Sequence, residues 1–363
     1  MTMPTQRKSG FTLLELLVSM TLGLLVMGAM ASLFKTGMNS TFLVAQRAET
    51  QQNMRAAVDL ITKDVNMAGA GFTGAVQLPS GANSSLSKYG CDQGGTCYVP
   101  NYTYPGTNQM YGIIPGYKNG VQGNAVIPQA PPPAINDSIT VAYVDYNFPL
   151  WEYNAQFATA TNISGVTMTA NPIYTTPPPP AINSAGGLQQ GDIVFFPAGP
   201  AVAEVTNVTT GTITFGDLDA LNINQSNAGT NMLKNVAGVA NAATVPPTST
   251  VCYRMFVVTY YLTVPPAGQL PRLMRQVNGM SPVPVADDII NLQFAYDVYN
   301  QSTNALDSNQ PNPLGLGDSP SLIQKINVAV MGQSMVQNGN RSQNMNLATS
   351  VSARNMAFRN RYQ

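Results

Sequence analysis

Apolar residues run almost unbroken through residues 11–34, FTLLELLVSMTLGLLVMGAMASLF, where Glu15 is the one charge. A run of this length matches a membrane-spanning helix, which needs about 20 apolar residues. Past Lys35 the pattern turns amphipathic. Met54, Val58, Ile61, Val65 and Ala68 recur at three- and four-residue steps, and Gln46, Arg47, Glu49, Gln51, Gln52, Arg55 and Lys63 fill the other positions. No proline falls between Pro4 and Pro79. The spacing predicts one helix over residues 11–67, roughly 85 Å long at 1.5 Å per residue. Gly69 supplies its stop signal.

Beyond residue 69 the pattern is β. Alternation over Ile139, Val141 and Tyr143 predicts a strand, and residues 191–197 read as a short, continuously apolar one. Residues 202–208 and 211–215 read as two strands joined at Thr209, Thr210 and Gly211. The longest strand candidate is 253–264. Residues 270–277 are expected to return against it, and 289–299 and 322–331 to complete the sheet. Stretches 77–133, 146–186, 217–247 and 300–320 are long and polar. The expected class is α+β: a long N-terminal helix, membrane-spanning then amphipathic, packed on a large antiparallel β-sheet head with long loop insertions.

Composition narrows the chemistry. Charged residues make up 9% of the chain, against about 25% in an average soluble domain. Asn, Thr, Ser, Gln, Gly and Pro take their place, which suits an extracytoplasmic, loop-rich β protein. The 17 basic and 17 acidic residues cancel, so charge gives no case for nucleic acid. With no histidine in the sequence, Ser-His and Cys-His catalysis and His-ligated zinc are excluded. Asp217 with Asp219, and Asp287 with Asp288, are the close carboxylate pairs. Calcium would need further oxygen ligands, and turn or strand-edge acids are the simpler reading. No enzymatic activity, cofactor or metal is expected.

Three local patterns need separate weighing. Residues 69–74, GAGFTG, match G-x-G-x-x-G by letter. A dinucleotide site would need a strand before and a helix after, and here a helix precedes. Pro-Pro-Pro-Ala-Ile-Asn occurs at 131–136 and again at 178–183, each copy ahead of a strand candidate, and reads as an extended spacer. Cys91 and Cys97 bracket a glycine-containing loop that an oxidising compartment would close as a disulfide. Pairing of Cys252 with either one stays open, because spacing gives no distance.

The N-terminus carries the most specific signal. Arg7 and Lys8 precede the apolar run, and basic flanks hold a leader in the cytoplasm. A cut between Gly10 and Phe11 would remove them and keep the anchor. An ionisable group at bilayer depth costs about 2.5–3.5 kcal/mol and marks function by default, which singles out Glu15. Residues 8–16, KSGFTLLEL, resemble the type III leader of type IV prepilins and type II secretion pseudopilins. The resemblance implies that a prepilin peptidase cuts after Gly10 and N-methylates Phe11. It also implies that Glu15 meets the new amine of a neighbouring subunit, so that pairing offsets part of the cost of burying both charges.

Later blocks resemble the PilW family in their order: Asp64 to Gly69, Asp137 to Val141, Gly191 to Val194, Leu273-Met274-Arg275, Asp288 to Tyr296, and Ala353-Arg354-Asn355. The first departs from the family pattern by inserting Ala70-Gly71 before Phe72. The resemblance implies a minor pilin that primes type IV pilus assembly and sits at or near the tip. Its implied partners are other minor pilins, the major pilin, the pilus assembly platform protein and a large tip adhesin. The implied location is the bacterial inner membrane, head in the periplasm, then the pilus tip at the cell surface. The implied segments are a leader (1–10), a membrane and fibre-core helix (11–34), its amphipathic continuation (35–68) and the head (69–363). A type II secretion minor pseudopilin of the tip complex and an adhesive or ligand-binding pilus module are the alternatives.

Overall fold

A computed structural model describes residues 10–71, 75–78, 109–118, 136–157, 166–197, 201–216, 219–221, 223–224, 249–263, 269–313, 319–334 and 343–356. The predicted helix is present as α1 (Leu13–Met67). Cys91, Cys97 and Asp217 lie outside the described residues. The chain forms two compact units, Met1–Glu49 with Ser334–Gln343, and Thr50–Gln333 with Asn344–Gln363.

In the first unit the helix is exposed along its apolar run, with Leu13 at 84% and Leu33 at 75% of their full accessibility. Its most apolar window has a mean hydropathy of 2.1 and none of it is buried. It is therefore not the core helix of this fold. By length and composition it is able to cross a membrane.

The second unit holds the sheets. In chain order the strands are β1 (Val76–Gln77), β2 (Gln109–Met110), β3 (Ile113–Gly116), β4 (Ser138–Asp145), β5 (Tyr153–Phe157), β6 (Val166–Pro172), β7 (Ile193–Phe196), β8 (Ala201–Glu204) and β9 (Asn207–Val208). They continue with β10 (Thr212–Phe215), β11 (Ser249–Thr250), β12 (Tyr253–Leu262), β13 (Leu273–Val277), β14 (Val283–Ala286), β15 (Ile289–Asn300), β16 (Ala305–Gln310), β17 (Ile323–Ser334) and β18 (Gln343–Ser352).

Among the described residues four sheets form. A seven-stranded sheet follows β14-β13-β12-β4-β3, with β7 on β12 and β8 on β7. A five-stranded sheet is ordered β11-β5-β6-β10-β9, a four-stranded one β16-β15-β17-β18, and β1 pairs with β2. Pairing is antiparallel, as where Val258 of β12 faces Val141 of β4 and Tyr260 faces Ile139. The fold is α+β, as expected.

The single sheet predicted for the head is thus divided, and residues 202–208 show why. At Val205 the chain leaves β7: the Val205 N–H donates to the Asp192 carbonyl, and the Thr206 N–H to that of Thr214. One apolar run therefore supplies β8 to one sheet and β9 to another. Polar stretches also carry strands that were not predicted, β5 and β6 among them. Their alternation is real but short: Tyr153, Ala155 and Phe157 are buried while Asn154 and Gln156 are half-buried.

Helix residues Met54, Ala57, Val58, Ile61 and Val65 share a core with Ile139, Val141, Val258, Tyr260, Leu292, Phe294, Ile326 and Val328. The predicted stripe is the buried one. The opposite face of β4, Ala142 and Val144, packs with Ile193, Phe195, Met255 and Val257 in a second core. All eight residues of β4 are consequently buried, whereas the sequence pattern placed only alternate ones inside.

Candidate functional site

Gly10 and Phe11 precede the helix, and Phe11 is 82% exposed. The helix begins two residues later than predicted, at Leu13. Thr12 caps it: the Glu15 N–H donates to the Thr12 side chain at 3.3 Å and to its carbonyl at 3.1 Å. The spacing T-x-x-E is a helix-start signature, and it was the overlooked signal for the boundary. Glu15 stands in the first turn, where the positive end of the helix dipole favours a carboxylate. Among the described residues no basic side chain pairs with it.

A sequence model of the prokaryotic N-terminal methylation motif matches residues 5–31. It therefore covers Gly10, Phe11, Glu15 and most of the apolar run. The chain is pilin-like at its N-terminus. The motif with its exposed apolar helix marks a protein of type IV pilin or pseudopilin kind, and fits anchoring in a membrane. No curated protein and no solved structure matches the chain.

A second acid on the same helix went unnoticed as a site. Asp64 falls on the buried stripe and is 3% exposed. The Tyr143 hydroxyl donates to its Oδ1 at 2.9 Å, and the Tyr260 hydroxyl to its Oδ2 at 2.5 Å. Arg275 reaches the same carboxylate, with Nε 2.9 Å from Oδ2 and Nη2 3.4 Å from Oδ1. Burial, and then the Asp64 charge, push both tyrosine hydroxyls well above their ordinary range. Both stay protonated and donating. The cluster joins α1 to β4, β12 and β13, and it has the chemistry of a staple rather than of a reaction centre.

The helix exit is held as firmly. Asn355 donates through Nδ2 to the carbonyls of Asn66 and Ala68 at 3.1 and 3.3 Å, satisfying acceptors that every helix end leaves open. Gly69 has φ +72° and Gly71 φ +82°, a region glycine enters without penalty. The Gly69 N–H then donates to the Ala142 carbonyl and the Val144 N–H to that of Ala70. The G-x-G-x-x-G string thus begins as a helix exit laid along β4, with no strand ahead of it.

The predicted acid pairs do different things. Asp287 forms an exposed ion pair with Arg272 at 2.8 Å, while Asp288 takes a left-handed backbone at φ 61°. Asp219 instead lies beside Glu204 of β8. Its carboxylate accepts from the N–H groups of Ile223 and Asn224, and Glu204 accepts from that of Leu221. Burial, and then the Asp219 charge, raise the Glu204 carboxyl far above the usual range, so the pair holds a proton. This partnership skips from 204 to 219, which no local pattern reveals. Among the described residues no three His, Cys, Asp or Glu side chains gather as a metal would require. Cys252 is a buried free thiol.

The second proline string ends in ordered structure. The Tyr153 hydroxyl donates to the Pro180 carbonyl and Ile182 is fully buried, so the segment lies anchored against the five-stranded sheet's core.

Proposed function

We propose that the chain is a PilW-type minor pilin, which primes type IV pilus assembly and is incorporated at or near the pilus tip. The observation that carries this reading is Glu15, a carboxylate in the first turn of an exposed apolar helix, four residues beyond the Gly10–Phe11 junction of a methylation motif. A prepilin peptidase would free and methylate the Phe11 amine. Glu15 of one subunit would then meet that amine on the next, each charge offsetting the other's desolvation. The head favours a minor role, because a body of several sheets with long intervening segments is poorly shaped for close, indefinite repetition. At a fibre end those segments meet solvent or other partners, among them minor pilins, the major pilin and a large tip adhesin. The role is structural, with no catalysis and no cofactor.

Mass spectrometry of sheared extracellular fibres tests the proposal. The expected result is a chain beginning at methylated Phe11, present at a small fraction of the main subunit. Gly10→Asp should leave an uncut membrane-bound precursor. Glu15→Ala should insert normally and be depleted from fibres. A near one-to-one ratio to the main subunit, or undiminished incorporation of Glu15→Ala, overturns the reading. Recovery only with a periplasmic secretion fibre would replace the pilus by the secretion system.

A further inference from the structure

The outer face of the four-stranded sheet carries a groove of about 580 Å³, a size typical of small-molecule sites, which run from about 300 to 1,000 Å³. Strand alternation creates this face. Leu292 and Phe294 of β15, and Ile326 and Val328 of β17, turn inward to the core that holds the helix. The residues between them face outward, Gln293 opposite Ala329 and Ala295 opposite Asn327. Ala348 and Ser350 of β18 extend the surface on one side, and Asn309 of β16 with Pro311 just after it bounds the other.

The polar rim of the groove is held from behind. Asp297, whose side chain is 5% accessible, sits where the register of β15 shifts against both β16 and β17. Bulges of this kind re-aim side chains and recur beside functional sites. Asp297 Oδ1 accepts from the Asn309 N–H at 2.8 Å and from Asn327 Nδ2 at 3.1 Å. The first bond holds Asn309 in a left-handed backbone, φ 57°, a region few residues other than glycine enter. Asn327 Oδ1 in turn accepts from the Ser350 hydroxyl at 2.7 Å. Lys325 matches the Asp297 charge at 2.8 Å, and neither of the two lines the groove. One ion pair thus fixes polar groups from three strands.

We propose that this groove binds a neutral saccharide. Its lining includes no ionisable side chain of Asp, Glu, Lys or Arg, so a charged ligand would lose hydration without gaining a partner. On the face of a sheet the main-chain groups point along the ladder, so an extended peptide laid there gains no strand pairing. What the groove offers is a floor of small methyl groups, Ala295, Ala329 and Ala348, with carboxamides and a hydroxyl at its edges. The floor suits the C–H face of a pyranose ring. The carboxamides of Gln293 and Asn309 can each donate and accept, as vicinal sugar hydroxyls do. Ser350 directs its own proton to Asn327 and therefore presents an acceptor. The binding does not depend on the pilin reading.

The test uses the full-length protein in a detergent without a sugar headgroup. It is applied to an array of neutral glycans with their sialylated counterparts, and to a peptide array. The expected result is binding to neutral glycans, with no gain from sialylation. Ala329→Phe and Ala348→Phe are changes at exposed positions that fill the floor, and each should abolish the signal without moving the urea midpoint. Ser350→Ala should weaken binding about 2–10-fold, the worth of one hydrogen bond. Binding to no neutral glycan, a preference for the sialylated set, or glycan binding that survives both phenylalanine variants each overturns the proposal. Peptide binding silenced by Ala329→Phe, with no glycan signal, would give the groove to a peptide and overturn it as well.

Discussion

Glu15 and Asp64 are acids on one helix, and they have opposite surroundings. Glu15 stands in the first turn of a run whose apolar side chains are exposed. Asp64, five residues before Gly69, has no such freedom: two tyrosine hydroxyls and one guanidinium already occupy its oxygens. Helix geometry is the same in both halves, so the difference lies in what the rest of the chain provides. The second half has its apolar stripe and its cation supplied from within. The first half has neither, which is the condition expected of a segment whose partners are lipid or other subunits.

The largest effect should come from separating Asp64 from its cation. Arg275→Met leaves a buried carboxylate uncompensated and should cost about 3–5 kcal/mol of head stability, read as a shift in the urea midpoint. Adding Asp64→Asn should recover part of that loss, giving a coupling energy in a double-mutant cycle. Glu15→Gln in the same assay should change stability by no more than about 0.5 kcal/mol. Equal losses from the two sites would erase the contrast.

Core packing should divide the helix the same way. Ile61→Ala removes a fully buried side chain and should cost about 2–5 kcal/mol. Leu25→Ala, at a site 70% exposed, should leave the unfolding midpoint unchanged.

A smaller effect concerns pH, and it contrasts Glu204 with the ion-paired Asp64. A carboxyl whose folded value is raised binds more protons folded than unfolded. Its stabilisation is complete below the unfolded value near 4.5 and fades as pH climbs toward about 9. The thermal midpoint should therefore fall between pH 5 and 9, and Glu204→Gln should flatten that fall. An unchanged slope in the variant would remove the shared proton from the account.

The smallest effect is at the helix exit. Asn355→Ala deletes two hydrogen bonds to helix carbonyls and should cost about 0.5–1.5 kcal/mol. Amide exchange should accelerate locally at residues 66–70 while the exposed half of the helix is unaffected.

Much of this division is written in the sequence. An uninterrupted apolar run, a three-and-four stripe and the absence of proline determine the long helix and which of its faces is covered, because they are local and periodic. The Lys8 to Leu16 segment likewise lies within the N-terminal methylation motif, which is legible without help from the fold. T-x-x-E at Thr12–Glu15 even fixes the first helical residue, for a cap needs only neighbours three positions apart. Residue 64 could be read locally only as an acid near a helix end. Its partners come from positions 143, 260 and 275, and only the approach of β4, β12 and β13 to one point makes it a buried staple. The same holds for Glu204 with Asp219, and for the break at Val205 that sends one apolar run into two sheets. Hydrophobic periodicity specifies an element and its buried face. Which polar groups must meet inside is decided when sheets close over one another and each desolvated charge or hydroxyl has to find a partner.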